Sequence, residues 1–223
     1  MCGRFFVARE DENELLARMV SEAARRQQTL TGESAVAIGE VFPSDTVAAL
    51  AAGKSGAIGA FPMAWGFHRA DGKGLIINTR SETALTRPLF RASMLERRCV
   101  IPCNWYFEWE TREGQQSLLP EGPSLGVLPE GGKKLKHPQK IKYALRPKAP
   151  GLCYLAGIYR YEEGRVLPSL SILTRDAAES IAFIHSRMPV LFSEKTYPAW
   201  LDRTQSPEAL LAQCEQEMDY RSA

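Results

Sequence analysis

Between residues 11 and 28 the apolar positions recur three and four apart, so that Leu15, Leu16, Met19, Val20 and Ala23 share one face of a predicted helix. Asp11 is expected to cap it, with Glu14 three residues on completing a capping box. Beyond a loop at 39–45, the period shortens toward two. Short strands are expected at 47–51 and 55–61, around Ala52-Gly53-Lys54, and at 75–79, where the run ends in polar residues. The stretch 99–110 mixes β-branched and aromatic residues and reads as a long strand or a bent strand pair. Further strands are expected at 142–146, 153–161 and 169–174. Helices return at 176–184, with Ile181 and Ile184 on the apolar side, then at 193–201 and 206–217. In the last, Ser206 suits the N-cap and Pro207 the first helical position. Many strands with few helices, and no regular βαβ alternation, predict an α+β fold.

The 223 residues fit one domain, expected over 1–223. The pattern lapses at 111–139, which carries Pro120, Pro123, Pro129 and Pro138 and no sustained period. A flexible or inserted loop is therefore expected at 111–140. Its end is one-signed: Lys133, Lys134, Lys136, Lys140, Lys142, Arg146 and Lys148 follow Gly131 with no acid among them. That run reads either as a solvated basic loop or as an edge that tracks phosphates. Net charge is only +2, so total charge gives no argument for a nucleic-acid partner, and only the distribution could. Cys2, Cys99, Cys103, Cys153 and Cys214 are odd in number and irregular in spacing, which is no disulfide framework. No signal-peptide run opens the chain, and no stretch approaches the ~20 apolar residues of a membrane span. The expectation is a reduced, intracellular, cytosolic or nucleoid-associated protein with no membrane partner, and a monomer.

Candidate chemistry begins at Cys2, directly behind Met1. If Met1 is removed, as a small second residue favours, the chain begins with a cysteine carrying a free α-amine. That amine has an ordinary pKa of about 7.7–8.0 and stands beside a thiol of about 8.5. Such a 1,2-aminothiol condenses with an aldehyde and closes a thiazolidine ring, which no internal cysteine can do. Ile-Asn-Thr-Arg-Ser-Glu-Thr at 77–83 offers Asn78, Arg80 and Glu82 at period two, on one face of a strand. Trp-Tyr-Phe-Glu-Trp at 105–109 places Glu108 among aromatics, where poor solvation raises a carboxyl pKa toward acid–base use. His185, in Ile-His-Ser-Arg-Met-Pro, stands at a predicted helix end as either a proton shuttle or a dipole-facing cap. Cys99 and Cys103 lack a second Cys/His pair and read as buried structural thiols. With no P-loop and no dinucleotide fingerprint, neither a metal nor a cofactor is expected.

The opening Met-Cys-Gly-Arg, Trp65-Gly66, Ile-Asn-Thr-Arg-Ser-Glu-Thr, Trp-Tyr-Phe-Glu-Trp and His-Ser-Arg-Met-Pro, in this order, resemble the SRAP family. The resemblance covers roughly residues 1–202. It implies a central β-barrel-like sheet with peripheral helices, and action on abasic sites in single-stranded DNA during the DNA damage response, with replication-fork DNA a further candidate partner. Cys2 matches the family's covalent nucleophile, Asn78 its active-site asparagine, Glu108 its acid–base glutamate and His185 its histidine. Arg80 matches a phosphate-contacting arginine, Arg4 lies in the opening motif, and Trp65 fits a position near the DNA groove. The chain departs from the family where members carry Asn-x-Ala-Pro: here Glu40-Val41-Phe42-Pro43 stands, with Phe42 and Pro43 able to wedge against a base step. The resemblance implies a covalent crosslink to the abasic aldehyde with lyase side activity. Two other readings remain on the residues alone: a thiol peptidase using Cys2, with His185 as its base, and a non-covalent reader of single-stranded or modified DNA.

Overall fold

The computed structural model describes residues 2–8, 13–112 and 139–223. In chain order the elements of the first half are β1 (Phe5–Val7), α1 (Glu14–Thr31), β2 (Gly39–Val41), β3 (Thr46–Ala52), β4 (Ile58–Trp65), β5 (Phe67–His68), β6 (Leu75–Ile76), β7 (Asn78–Arg80), α2 (Ser81–Ala84), α3 (Pro88–Glu96), β8 (Arg98–Cys103) and β9 (Trp105–Arg112). The second half adds β10 (Gln139–Pro147), β11 (Cys153–Arg160), β12 (Ser169–Asp176), β13 (Arg187–Pro189), β14 (Leu191–Phe192), α4 (Tyr197–Leu201), α5 (Pro207–Leu211) and β15 (Met218–Ser222). The expected α+β class holds.

Two sheets carry the architecture. One has the order β15-β10-β9-β1-β2. In the other, β12, β4, β3, β8 and β11 pair in succession, and β11 pairs back onto β12, so the strands close into a ring. This ring is the form taken by the expected barrel-like sheet. Its strands are apolar on both sides because both sides are covered. Cys99, Ile101 and Cys103 of β8 belong to one apolar cluster, with Met63 and Ile172, while Val100 belongs to a second, with Phe90, Tyr154 and Trp200. In β11, Gly157 permits close approach: a Cβ there would lie 3.0 Å from Cys99 Sγ and 3.2 Å from Ile101 Cδ1.

The 99–110 run is a bent strand pair shared between the two sheets. Its corner is Asn104, whose N–H donates to the Phe6 carbonyl at 2.9 Å and whose Oδ1 accepts from the Ala8 N–H at 2.7 Å. These bonds fasten the N-terminal strand across the joint, and so bring the start of the chain beside β8 and β9.

Several expected boundaries moved. The cap of α1 is Asn13, extended in backbone, whose Oδ1 accepts from Leu16 N–H at 3.0 Å; Asp11 lies outside the described residues. The loop expected at 39–45 begins as strand β2, because its edge groups pair with β1. The 75–79 strand divides into β6, paired with β5, and β7, parallel to β12. The helix expected at 176–184 contracts to a 3-10 turn at Glu179–Ile181, and the final helices to α4 and α5. Met218–Ser222, for which no element was expected, pairs with β10 as β15, and α3 was not expected either. Of the 111–140 loop, residues 113–138 lie outside the described residues, while both flanks are strands of one hairpin.

Glu162 ties the end of β11 to β5 and β12. It accepts from Arg160 Nη2 at 2.6 Å, the Ser169 hydroxyl at 2.7 Å and the His68 N–H at 2.9 Å. Burial alone would push its carboxyl up, but these hydrogen bonds outweigh it and hold the pKa at about 2. A depressed folded value contributes stability that is full above the ordinary 4.5 and is lost as pH falls toward 2. Glu162→Ala is expected to cost about 2 kcal/mol, read as a fall in Tm of roughly 4–8 °C at pH 7, with the difference from wild type shrinking below about pH 4.

Candidate active site

Cys2 is fully buried, and its carbonyl oxygen accepts from Asn78 Nδ2 at 2.8 Å. Asn78 opens β7, and its placement follows from the parallel register of β7 on β12, where Thr79 is buried and its hydroxyl pairs with that of Ser171 at 2.9 Å. With Thr79 pointing inward, Asn78 and Arg80 leave the other side of the strand. The Oδ1 of Asn78 is buried and has no hydrogen-bond partner among the described residues. It is an acceptor aimed into the site and free for a ligand donor. Glu82, expected on the same strand face, lies instead in α2.

Glu108 lies on β9 opposite Tyr143 of β10 and is 4% exposed. Burial raises its carboxyl pKa above the ordinary 4.5, and the charge of nearby His185 opposes the rise. The Cys2 thiol is pushed far above its ordinary range, first by burial and then by the charge of Glu108. It is therefore protonated at neutral pH, and any reaction through sulfur must move that proton to a base. Cys103 and Cys153, paired across β8 and β11, add two further buried thiols next to it.

His185 follows the 3-10 turn and is oriented by the chain beyond it. His185 Nδ1 lies 2.9 Å from the Arg187 N–H and 3.2 Å from the Arg187 carbonyl, so the backbone of Arg187 orients the ring. Arg187 is itself clamped: Nη1 reaches Asp176 Oδ1 at 2.6 Å and Glu82 Oε1 at 2.7 Å, and Nη2 reaches Glu82 Oε2 at 2.9 Å and the Thr174 carbonyl at 2.8 Å. Glu82 thus anchors the arginine whose backbone N–H meets the histidine. The four residues expected to carry chemistry, Cys2, Asn78, Glu108 and His185, converge on one place although they are scattered through the sequence.

The expected DNA-contact residues divide. Arg80 is exposed at the end of β7, and its charge adds to that of Arg187 in holding the Glu82 carboxyl below its ordinary range. It borders a groove of about 490 Å³ that runs from Asn78 past Arg87 and Leu89 of the α3 entry. Phe42 is 42% exposed, at a turn fastened by Asp45 Oδ2, which accepts the Phe42 N–H at 2.8 Å; Pro43 is half-buried beside it. Arg4 lies over the rings of Phe42 and Trp109, at 4.6 and 4.9 Å. Trp65 differs from expectation. It is wholly buried, donates Nε1–H to the Ile77 carbonyl at 3.1 Å and packs on Phe5, so it supports the strand before Asn78 and offers no surface to a DNA strand. Gly66 follows it with φ 125°, and a Cβ there would stand 2.8 Å from Leu75 Cβ.

Sequence reasoning passed over Tyr106, Arg87 and the positioning role of Arg187. Tyr106 is buried, and its hydroxyl has no hydrogen-bond partner among the described residues. Burial raises its pKa well above the ordinary range, with Cys2 and Glu108 adding to the rise. The signal available for it was its place beside Phe107 and Glu108 at the strand joint. No cluster of three or more His, Cys, Asp or Glu side chains able to hold a metal ion occurs among the described residues. No described helix is long and apolar enough to cross a membrane.

An α+β protein with a buried second-residue cysteine, ringed by asparagine, glutamate and histidine, is thereby defined. The family model for SOS response associated peptidase (SRAP) matches residues 1–222, and the chain belongs to that family. Among curated relatives, the abasic site processing protein YoqW of Bacillus subtilis (strain 168) is 28% identical over 130 residues, covering 57% of this chain and 48% of that protein. The abasic site processing protein HMCES of Gallus gallus is 30% identical over 138 residues, covering 58% of this chain and 39% of that one. Each of these alignments spans about half or less of the relative's length. The fold is shared with a solved protein from Bacteroides thetaiotaomicron at TM-score 0.68 and 17% identity, covering 99% of this chain and 91% of that one. A phage-related protein of Bordetella bronchiseptica matches at TM-score 0.66 and 17% identity, covering 100% and 94%.

Proposed function

We propose that this protein captures abasic sites in single-stranded DNA as a covalent thiazolidine on Cys2. The observation that carries the reading is the 2.8 Å bond from Asn78 to the Cys2 carbonyl, which pins residue 2 beside the buried Glu108. The names of the relatives, abasic site processing proteins, agree with it. While Met1 is attached, the Cys2 nitrogen is a peptide nitrogen and cannot react. Once Met1 is removed, the free amine adds to the open-chain aldehyde of an abasic deoxyribose, and water leaves to give an imine. The Cys2 sulfur then adds to the imine carbon while its proton leaves, and the ring nitrogen gains a proton. The sum is one C–N bond and one C–S bond formed, with one water lost.

The site divides the work as follows. Glu108, its carboxylate basic because it is buried, receives the proton of the thiol and returns one to the nitrogen. His185 serves as the proton shuttle to the sugar oxygen that departs as water or as the ring opens. Asn78 Oδ1 holds the sugar, supplying the hydrogen bond that its surroundings leave open. Ring closure gains from proximity, since amine and thiol belong to one residue. Arg80, Arg87 and the turn at Phe42 and Pro43 would hold the flanking strand through phosphate attraction and stacking. The same imine, left unclosed, leads to β-elimination, so a lyase side activity accompanies the reading.

The test is to incubate untagged protein with a single-stranded oligonucleotide carrying one abasic site and to run a denaturing gel. A heat-stable shifted band is expected. One additional residue left in front of Cys2 is expected to remove it completely, because the amine is then an amide. An adduct of equal yield from the extended protein would overturn the thiazolidine.

A further inference from the structure

The outer face of the five-stranded sheet carries a cluster that the chemistry above does not use. Side chains alternate along β9, so Phe107 and Trp109 stand on the face opposite Glu108. Lys142 is the cross-strand neighbour of Trp109, Glu40 is that of Phe6, and Arg4 enters β1 just before Phe5. Two cations converge here on one oxygen: Glu40 Oε1 accepts from Lys142 Nζ at 2.8 Å and from Arg4 Nη1 at 3.1 Å. Each cation also rests on rings, Lys142 at 3.8 Å from the Phe107 centroid and Arg4 at 4.9 Å from that of Trp109. The hydrogen bond from Lys142 holds the Glu40 carboxyl below its ordinary range against the opposing effect of desolvation, and Arg4 reinforces it. Glu40 is therefore ionised at neutral pH.

Such a cluster is a poor stabilising device. All three side chains are partly exposed, at 36% for Arg4, 32% for Glu40 and 25% for Lys142, and ion pairs of that kind contribute little to folding. It is a good anion site: two donors of different reach, backed by aromatic faces, meet at a single acceptor. Arg4 is two residues from Cys2, within about 7 Å along extended chain. A strand whose abasic sugar reached Cys2 would bring a neighbouring backbone phosphate to this cluster.

We propose that Arg4 and Lys142 form a subsite for a backbone phosphate of single-stranded DNA, and that Glu40 occupies it in the free protein as an internal competitor. This rests on the abasic-site reading for its ligand. An incoming phosphate must displace the Glu40 carboxylate, so every strand is held less tightly than the cations alone would hold it. An intact strand then dissociates readily, while a strand with an aldehyde is retained by the covalent bond. Glu40 thereby moves discrimination from non-covalent affinity to chemistry.

The experiment measures fluorescence anisotropy of an unmodified single-stranded oligonucleotide against wild type, Glu40→Gln, Lys142→Ala and the double variant, over a series of salt concentrations. Glu40→Gln keeps the shape of the side chain and removes its charge. It is expected to bind roughly 3- to 10-fold more tightly than wild type at 0.1 M salt. The slope of log affinity against log salt should steepen by about 0.7 for each phosphate newly engaged. Lys142→Ala in the Glu40→Gln background should lose most of that gain. Equal or weaker binding by Glu40→Gln would overturn the proposal and make Glu40 a residue that organises the two cations. The abasic oligonucleotide is run in parallel on a denaturing gel with wild type. A wild-type adduct with unchanged Glu40→Gln affinity overturns the competitor and leaves the abasic-site reading standing. Tighter Glu40→Gln binding without an adduct supports the competitor and removes the covalent reading.

Discussion

Cys2→Ala is expected to abolish the heat-stable adduct with abasic single-stranded DNA, a loss of more than about 100-fold, while leaving the reaction half intact. Alanine is as small as cysteine at position 2, so removal of Met1 is unaffected and the α-amine is still delivered to the site. That amine can add to the aldehyde and form an imine. Without sulfur no ring closes, and the imine either hydrolyses or undergoes β-elimination. Two readouts therefore move in opposite directions: the stable band disappears, and strand scission rises or an adduct appears only when borohydride reduces the imine. The substitution removes one sulfur from a buried position packed near Cys103 and Cys153, a small cavity costing about 1 kcal/mol, so the protein remains folded. A heat-stable adduct formed by Cys2→Ala would sink the thiazolidine, and loss of both the adduct and the imine would show that the sulfur is needed before ring closure.

Glu108→Gln is expected to slow adduct formation by about 10²–10⁴-fold, the range for loss of a positioned acid–base group, with little change in affinity for an unmodified strand. The pH dependence separates this from simple damage. Burial raises the carboxyl pKa of Glu108, and its working form as a base is the ionised one. The wild-type rate should therefore climb as pH rises through that raised value, and Glu108→Gln should lose the climb. Glutamine also removes a negative charge that helps keep the Cys2 thiol protonated, so the thiol of the variant titrates at lower pH. Measuring the rate of band formation across pH for both proteins decides the matter. A variant that is slow but retains the wild-type pH profile would make Glu108 structural and assign the base elsewhere, with His185 the next residue to replace.

The candidate residues were more legible in the sequence than the elements that carry them. Asn78 stood out by its period-two alternation with Arg80, Glu108 by its aromatic neighbours and His185 by its place at a predicted helix end, and the order of the short motifs tied them to Cys2. The alternation that found Asn78 and Arg80 failed two residues later at Glu82, since β7 ends at Arg80 and the chain turns into α2. Local pattern could not signal that change, because the end of β7 is set by its pairing on β12, distant in sequence. For the same reason β15 went unpredicted: Met218–Ser222 has no alternation of its own and is a strand because β10 offers it an edge. Helix α3 was missed because its apolar residues do not fall on one side, with Phe90 and Met94 buried but Leu89 and Leu95 exposed. Trp65 was assigned to a groove on its company in a motif, and burial places it beneath the site instead.

By itself the sequence determined the α+β class and the strands with apolar runs, and it marked Cys2 as a candidate because of its place directly after Met1. Those properties are local: they follow from side-chain type, period and covalent position. The tertiary structure alone decided that Asn78 holds the Cys2 carbonyl, that Arg187 sets the histidine through a clamp of Glu82 and Asp176, and that Glu40 sits between Arg4 and Lys142. Each of these joins residues from different strands, through bonds a few ångströms long. Such bonds exist only once the ring closes and the two sheets meet at Asn104, because strand register, and not spacing along the chain, brings the partners into reach.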